Sequence, residues 1–531
     1  MEAPTVARTN RTPQAGGSSR PGWTIVPAAL ILIAALYYLG SAIVTVALNL
    51  DFPYQLDWIE GPVYASVLRI AAGLPVYAPP NLDYVATLYP PVFFHLSAGV
   101  QALTGGSFLP MRIVSLASTL GIVALLVAFG RRYRAPWWAS LAVVTSFVAF
   151  CGICRNWFVV GRVDLPALLF VLSAGVLLLE FRTLRWTAFA AGLLAALGVL
   201  TKQSSLPIVA VAAAWSLVRM PRERTLLFVG GGLAGTVGIL ALTGDLANPW
   251  FYRFTLSVPA SHPVRPEALF LLVPAFLAIH GSGFVIPALF GSAALSDRGS
   301  RWRAFLADPW NLLCLTAVAV GVVSNAKMGG SRNCLLAPAV FCSFQAMRLA
   351  GRFCVRSSGR AWILAAAQVL IVAHPTWALW VTPADVEAGN RLVRTIASQP
   401  GNVFFPAFPA YSRMAGKKPW ADFISICDYG FLDPGILDEM KAGIRAHRFS
   451  AVIPNNDVAR EAAGLCDVPD LDRSYRPLQG SLVDVPDSTL FGDVHNQRLG
   501  SIYLPDTGPP PATVEARTSV SAIRGRSGHD L

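Results

Sequence analysis

The stretch TIVPAALILIAALYYLGSAIVTVALN, residues 24–49, decides the class of this protein. It contains no charged side chain, and a helix needs only about 20 apolar residues to cross a bilayer. Comparable runs recur at about 108–130, 136–154, 164–181, 187–201, 204–218, 225–243, 267–293, 309–324, 334–350 and 361–380. Residues 24–380 therefore read as an all-α polytopic membrane domain of about eleven spans. Composition agrees: 54% of the chain is hydrophobic and 14% charged, against roughly 25% charged in an ordinary soluble domain.

The apolar run 91–103, between Pro90-Pro91 and Gly105-Gly106, is shorter, and charge decides whether it crosses. If it does not, eighteen Lys and Arg of the first 380 residues fall on the side of the N-terminus. They include Arg131/Arg132/Arg134, Arg219/Arg222/Arg224 and Arg298/Arg301/Arg303; the opposite loops hold nine. A crossing would turn the later clusters outward, against the tendency of short basic loops to stay cytoplasmic. The segment is therefore expected as a juxtamembrane helix within a first outer loop, 50–107. The net charge of +12 is then a topology signal, and no nucleic-acid partner is expected.

Residues 1–23 are polar and read as a disordered cytoplasmic tail. The apolar run that follows is too long for a signal-peptide core. From Val381 the composition changes sharply, to 15 Lys/Arg and 18 Asp/Glu over the rest of the chain, and the odd span count puts this region outside. A small extracytoplasmic α/β domain is expected over 381–504. Its helices fall at Asp385–Ser398 and Asp438–His447, with short strands at Asn402–Phe405, Phe449–Ile453 and near Leu504. Residues 505–531 read as a disordered tail. Cys151-Gly-Ile-Cys154 has redox spacing but no second pair or nearby histidine.

The outer loop carries the chemistry. With a helix from Trp58 to Ala72, Asp57 and Glu60 share one face. Two neighbouring carboxylates repel, which raises at least one pKa and suits a general base for a hydroxyl. The plain alternative is a helix start, with Asp57 as N-cap and Glu60 completing a capping box. Basic residues on the same side strengthen the first reading: Arg162, Lys202, Lys327 and Arg332. Cations this near hydrocarbon are costly unless paired or used, so a lipid phosphate is a natural partner, whereas snorkelling and an Arg162–Asp164 tie would be structural uses. The loop carboxylates with one histidine leave room for a divalent metal; no other cofactor is expected. No glycine loop precedes a Lys-Ser or Lys-Thr, which disfavours nucleotide hydrolysis.

Asp57-Trp-Ile-Glu60-Gly, Gly73-Leu-Pro-Val-Tyr77, Tyr89-Pro90-Pro91, Met111-Arg112 and Arg162-Val-Asp164, in this order, resemble the bacterial GT-C glycosyltransferases of the family 39, protein O-mannosyltransferase-like kind. Thr201-Lys202-Gln203 and Gly329 to Pro338 resemble late motifs of the same proteins, so the likeness spans most of 24–380. It implies sugar transfer from a polyprenyl-phosphate donor to an extracytoplasmic glycan, lipid or protein in a bacterial-type inner membrane. Asp57, then Glu60, would deprotonate or orient the acceptor; Lys202, Arg162, Lys327 and Arg332 would hold the donor phosphate. Many relatives carry adjacent acids where two residues separate them here. The alternative is a multi-pass transporter or lipid flippase of envelope biogenesis, which should bury charges mid-span.

Overall fold

A computed structural model describes residues 25–181, 184–280, 305–356, 358–377, 380–454, 471–478 and 502–506. The tail 1–23, the Arg298/Arg301/Arg303 cluster, the second half of the 267–293 span and the terminal 507–531 lie outside the described residues.

The apolar runs form helices close to where they are expected. They are α1 (Ile25–Asn49), α4 (Leu109–Arg132), α5 (Trp137–Ile153), α6 (Asp164–Glu180), α7 (Trp186–Val199), α8 (Leu206–Arg219) and α9 (Arg222–Leu242), with α2 (Glu60–Ala71) and α3 (Val92–Thr104) in the first loop. After the short α10 (Pro249–Tyr252) and α11 (Val258–Ser261) come α12 (Val273–His280), α13 (Pro309–Ala326), α14 (Leu336–Arg356) and α15 (Ser358–Ile371). Helices α1, α4, α9 and α13, and the segment Arg332–Gly351, are each long and apolar enough to cross a bilayer. Exposed Leu32, Ile33, Leu36 and Ile43 of α1 and Leu226, Leu233 and Val237 of α9 give these helices lipid-facing stripes. Helix α14 instead runs through the centre, buried over most of its length. The tightest crossing is α7 on α9, where a Cβ on Gly192 would lie 2.1 Å from the Phe228 carbonyl and one on Gly231 2.2 Å from that of Phe189. Only glycine permits this approach, the usual device of helix pairs in lipid.

Helix α3 does not cross. The α4 residue Arg112 donates to the carbonyls of Asn49 (3.2 Å) and Leu50 (3.4 Å), so α1 ends and α4 begins at one end of the bundle. The Val92 N–H donates to the Leu200 carbonyl at that same end (3.0 Å). At the opposite end Glu180 of α6 accepts from Tyr133 and from Trp310 Nε1 (2.9 Å), while Arg348 of α14 pairs with Asp308 (3.2 Å).

The last expected span, 361–380, is corrected. Its α-helix stops at Ile371, and residues 373–376 then climb beside α1 in irregular backbone. The His374 N–H donates to the Tyr38 hydroxyl (2.7 Å), the Thr376 N–H to that of Tyr37 (3.2 Å), and Trp380 Nε1 to Thr45 Oγ1 (3.0 Å). From Tyr38 to Asn49 is about 16 Å of helix at 1.5 Å per residue. Irregular backbone at that depth is tolerated only with protein partners, and the two tyrosines supply them.

Beyond it lies the C-terminal module. Helix α16 (Pro383–Ser398) opens on a capping box between Thr382 and Asp385. Four short strands, β1 (Val403–Phe404), β2 (Ala451–Val452), β3 (Tyr475–Pro477) and β4 (Tyr503–Pro505), form a sheet in the order β1-β2-β4-β3, with β1 and β2 parallel and the other pairs antiparallel. Helices α17 (Pro409–Met414), α18 (Phe423–Gly430) and α19 (Gly435–Arg445) lie between β1 and β2 in the chain. The module rests on the first loop: Tyr54 stacks on Tyr411 with ring centroids 5.1 Å apart, and the Ala421 N–H donates to the Leu82 carbonyl (2.8 Å).

Candidate active site

Helix α2 begins at Glu60, two residues later than expected, and its first acid turns away from Asp57's partner. Glu60 is fully buried; Oε1 accepts from Arg112 Nε (3.1 Å) and the Gly161 N–H (2.7 Å), Oε2 from Arg112 Nη2 (2.9 Å) and the Leu56 N–H (2.7 Å). The capping box of the plain alternative does not form; Glu60 reaches Leu56 instead. Arg112 also donates to the carbonyls of Phe52 and Tyr54, both at 2.5 Å. Glu60 and Arg112 thus form a clip that shapes residues 49–60. Gly161 is part of it, because a Cβ there would sit 2.8 Å from Met111 Cβ and 3.2 Å from Glu60 Oε1.

Asp57 is 2% exposed and differently engaged. Its Oδ1 accepts from Arg162 Nη1 (2.6 Å) and the Ile59 N–H (3.0 Å), and its Oδ2 accepts no hydrogen bond among the described residues. Burial pushes the carboxyl above the usual range, and the Arg162 guanidinium pulls it only part of the way back. One oxygen is therefore anchored and the other open to a hydroxyl.

Arg162 is presented by a turn that the chain makes with difficulty. Arg155 and Asn156 both adopt left-handed backbone, with φ of 65° and 56°, a conformation that side chains other than glycine seldom take and that costs of order 1–3 kcal/mol at each residue. The returning segment is gripped by Ser115 of α4, whose hydroxyl donates to the Arg162 carbonyl (3.0 Å) and accepts from its N–H (3.1 Å). The side chain then spans Asp57, the Tyr89 hydroxyl (3.1 Å at Nη2) and, 3.9 Å from Nε, Asp164 Oδ2.

Asp164, the first residue of α6, is the hub. Its Oδ2 accepts from Trp157 Nε1 (2.9 Å), and its Oδ1 from Lys202 Nζ (2.5 Å) and Asn333 Nδ2 (2.8 Å). Burial works against the Lys202 charge, but the Asp164 carboxylate more than offsets it and holds the ammonium well above its ordinary pKa. Beside Lys202 lies a small pocket with a cavity volume of about 20 Å³, polar at Asp164, Lys202, Ser205 and Asn333 and apolar at Leu168, Ile208, Val320 and Ala337. Acid and base alternate from the loop to this pocket: Asp57, Arg162, Asp164, Lys202.

Lys327 and Arg332 stand apart from this row. Lys327 Nζ donates to the Pro259 carbonyl (2.9 Å), and its backbone bridges Val264. Arg332 has an exposed side chain, and its carbonyl accepts from Cys154 Sγ (3.3 Å); neither residue lines the pocket. Cys151 and Cys154 are free thiols. Among the described residues no group of three or more His, Cys, Asp or Glu could hold a metal ion. The residues that sequence reasoning passes over are Arg112 as the partner of Glu60 and Asp164 as the hub; the Arg162-Val-Asp164 triplet carries the second signal.

No protein-family model matches the chain, and no curated protein matches its sequence. Solved structures do match. ArnT from Cupriavidus metallidurans bound to undecaprenyl phosphate superposes with a TM-score of 0.54 at 12% identity, over 91% of this chain and 98% of that one. Its apo state gives 0.52 at 12% identity, over 91% and 97%. The chain has a GT-C fold. Within this GT-C fold the first outer loop, the turn before α6 and the end of α7 meet at one end of the bundle, where the charged row lies.

Proposed function

We propose that this membrane protein is a glycosyltransferase that moves a sugar from a polyprenyl-phosphate donor to a hydroxyl of an extracytoplasmic glycan, lipid or protein. The observation that carries the reading is the charged row Asp57, Arg162, Asp164 and Lys202, which runs from a carboxylate with one uncommitted oxygen to a small pocket where Lys202 and Asn333 meet an apolar wall. A boundary of this kind, polar donors beside an apolar wall, suits the phosphate end of a lipid. The fold, shared with ArnT, whose structure holds undecaprenyl phosphate, supports it.

The chemistry follows from the geometry. The acceptor hydroxyl hydrogen-bonds Asp57 Oδ2 and attacks the anomeric carbon as the carbon–oxygen bond to phosphate breaks. The electron pair leaves with the phosphate and the proton passes to Asp57. Lys202, with the Asn333 amide, meets the charge growing on the leaving oxygens, a task for which fixed dipoles and cations in a dry site are well suited. Arg162 positions Asp57 and adds positive potential. Glu60, with both oxygens committed, holds the loop in place.

The active end is assigned to the extracytoplasmic face of a bacterial-type inner membrane. The basic clusters gather at the other end, as cytoplasmic loops do, and Cys427 of the C-terminal module is disulfide-bonded, a bond that persists in oxidising compartments. A transporter is disfavoured because the described buried ion pairs sit in two layers at helix ends. The test is purified full-length protein given a radiolabelled polyprenyl-phosphate sugar and candidate acceptors. Label should leave the lipid, and lipid flipping without label transfer would refute the reading.

A further inference from the structure

Beside the charged row, the chain fixes Tyr89 as firmly as any member of it. The Leu88 carbonyl accepts from Gln203 Nε2 (2.9 Å), the Tyr89 carbonyl from the Tyr77 hydroxyl (2.6 Å), and the Val92 N–H donates to the Leu200 carbonyl (3.0 Å). Between these bonds stand Pro90 and Pro91, whose rings fix φ. Residues 88–92 are thereby stitched to positions 200 and 203, on either side of Lys202, which brings Tyr89 under the influence of the Lys202 charge. Arg162 completes the placement. Its Nη1 holds Asp57 Oδ1 and its Nη2 holds the Tyr89 hydroxyl (3.1 Å), so carboxylate and phenol lie side by side on one planar guanidinium.

A hydroxyl that accepts from Arg162 still has its own proton to give, and among the described residues that proton has no acceptor. Lys202 commits one of its three donors, to Asp164. These two groups are also where the row can be reached: Asp57, Arg162 and Asp164 are buried, whereas Lys202 keeps 15% of its side chain exposed and Tyr89 is only part-buried. Burial raises the phenol's pKa; Arg162 and Lys202 pull it part of the way back, while Asp164 and Cys334 add to the rise. The group is therefore a neutral donor over the working pH range. We propose that the Tyr89 hydroxyl is a catalytic donor to the oxygen that leaves with the polyprenyl phosphate. As the acceptor oxygen bonds to the anomeric carbon, the bond from that carbon to the phosphate oxygen breaks. The electron pair stays on the phosphate, the acceptor's proton goes to Asp57, and Tyr89 keeps its proton while its hydrogen bond tightens. A neutral donor suits this place beside the base, because a further cation there would stabilise the Asp57 charge and weaken it as a base. The inference rests on the glycosyltransferase reading and adds to it the group at the scissile bond.

The experiment follows label transfer from a radiolabelled polyprenyl-phosphate sugar by the full-length protein in nanodiscs, for the parent, for Tyr89→Phe and for a form with a ring-fluorinated tyrosine at residue 89. For Tyr89→Phe, kcat is expected to fall about 10²- to 10³-fold, the usual effect of deleting one donor to a developing oxyanion. KM for the donor should change little, and the acid limb set by Asp57 should stay where it is. Fluorination makes the phenol more acidic, and a phenolate cannot donate, so the fluorinated protein should lose activity at a lower alkaline pH than the parent. That side chain is nearly isosteric with tyrosine and keeps the test open if Tyr89→Phe misfolds. A residue that merely holds Arg162 would move the acid limb and leave the alkaline one in place. That pattern, transfer by Tyr89→Phe at the parent rate, or a loss confined to KM would overturn the assignment. No transfer by the parent protein would instead strike the glycosyltransferase reading itself, so the two failures are distinguishable.

Discussion

Arg162 Nη1 stands 2.6 Å from Asp57 Oδ1, joining a loop carboxylate to a guanidinium 105 residues further along the chain. That bond holds one oxygen of Asp57 and leaves the other for chemistry. Replacing Asp57 by Asn keeps the shape and removes the base. Sugar transfer is expected to fall by about 10²- to 10⁴-fold, with undecaprenyl phosphate binding retained; transfer at the parent rate would remove Asp57 from the reaction.

The same residue sets the pH dependence. Burial raises the Asp57 pKa, and a base works only when ionised. Activity should therefore be lost as pH falls through a value above the usual carboxylate range, and Asp57→Asn should abolish that acidic limb. A rate profile recorded at saturating donor checks it.

Lys202 and Asn333 converge on Asp164 Oδ1 at the mouth of the small pocket. Lys202→Ala is expected to weaken undecaprenyl phosphate binding by about 10- to 100-fold, the value of one charge-assisted hydrogen bond. Lys327→Ala, at a residue bound to the Pro259 carbonyl, should change it little. Microscale thermophoresis on both variants separates the two cations.

Glu60→Gln breaks a fully buried pair and leaves Arg112 uncompensated, a loss of about 3–5 kcal/mol. The signature is a lower thermal midpoint and poor yield. The pH dependence of any surviving activity should be unaltered, which distinguishes this variant from Asp57→Asn.

In the C-terminal module burial pushes Asp428 up to about 7, with His262 Nε2 at 3.4 Å. A carboxyl whose pKa is raised on folding binds more protons folded than unfolded, so its contribution to stability falls as pH rises between its ordinary value and about 7. Thermal midpoints of the full-length protein should decline over that window, and Asp428→Asn should flatten the decline.

Much of the fold is legible because hydropathy is a local property: most of the described apolar runs mark their helices within a few residues, and charge placement alone indicates that 91–103 does not cross. The site is only half legible. Asp57 and Glu60 stand out as a pair, but their division of labour depends on Arg162 and Arg112, which are 105 and 52 residues away. Asp164 can be read as a helix-end tie to Arg162. Its role as hub needs Lys202 and Asn333, which are 38 and 169 residues distant and arrive only through packing. The early stop of α15 was open to view in Pro375, which cannot continue a helix and biases His374 away from helical backbone.

That stop has a consequence for biogenesis. Tyr37 and Tyr38 enter the membrane with the first helix, yet the backbone that satisfies their hydroxyls follows about 336 residues later. Throughout synthesis those hydroxyls wait for His374 and Thr376. The membrane domain is therefore closed by its final segment, and a nascent chain truncated before residue 374 would carry two unpaired phenols in its opening helix, a mark by which quality control could tell it from the finished protein.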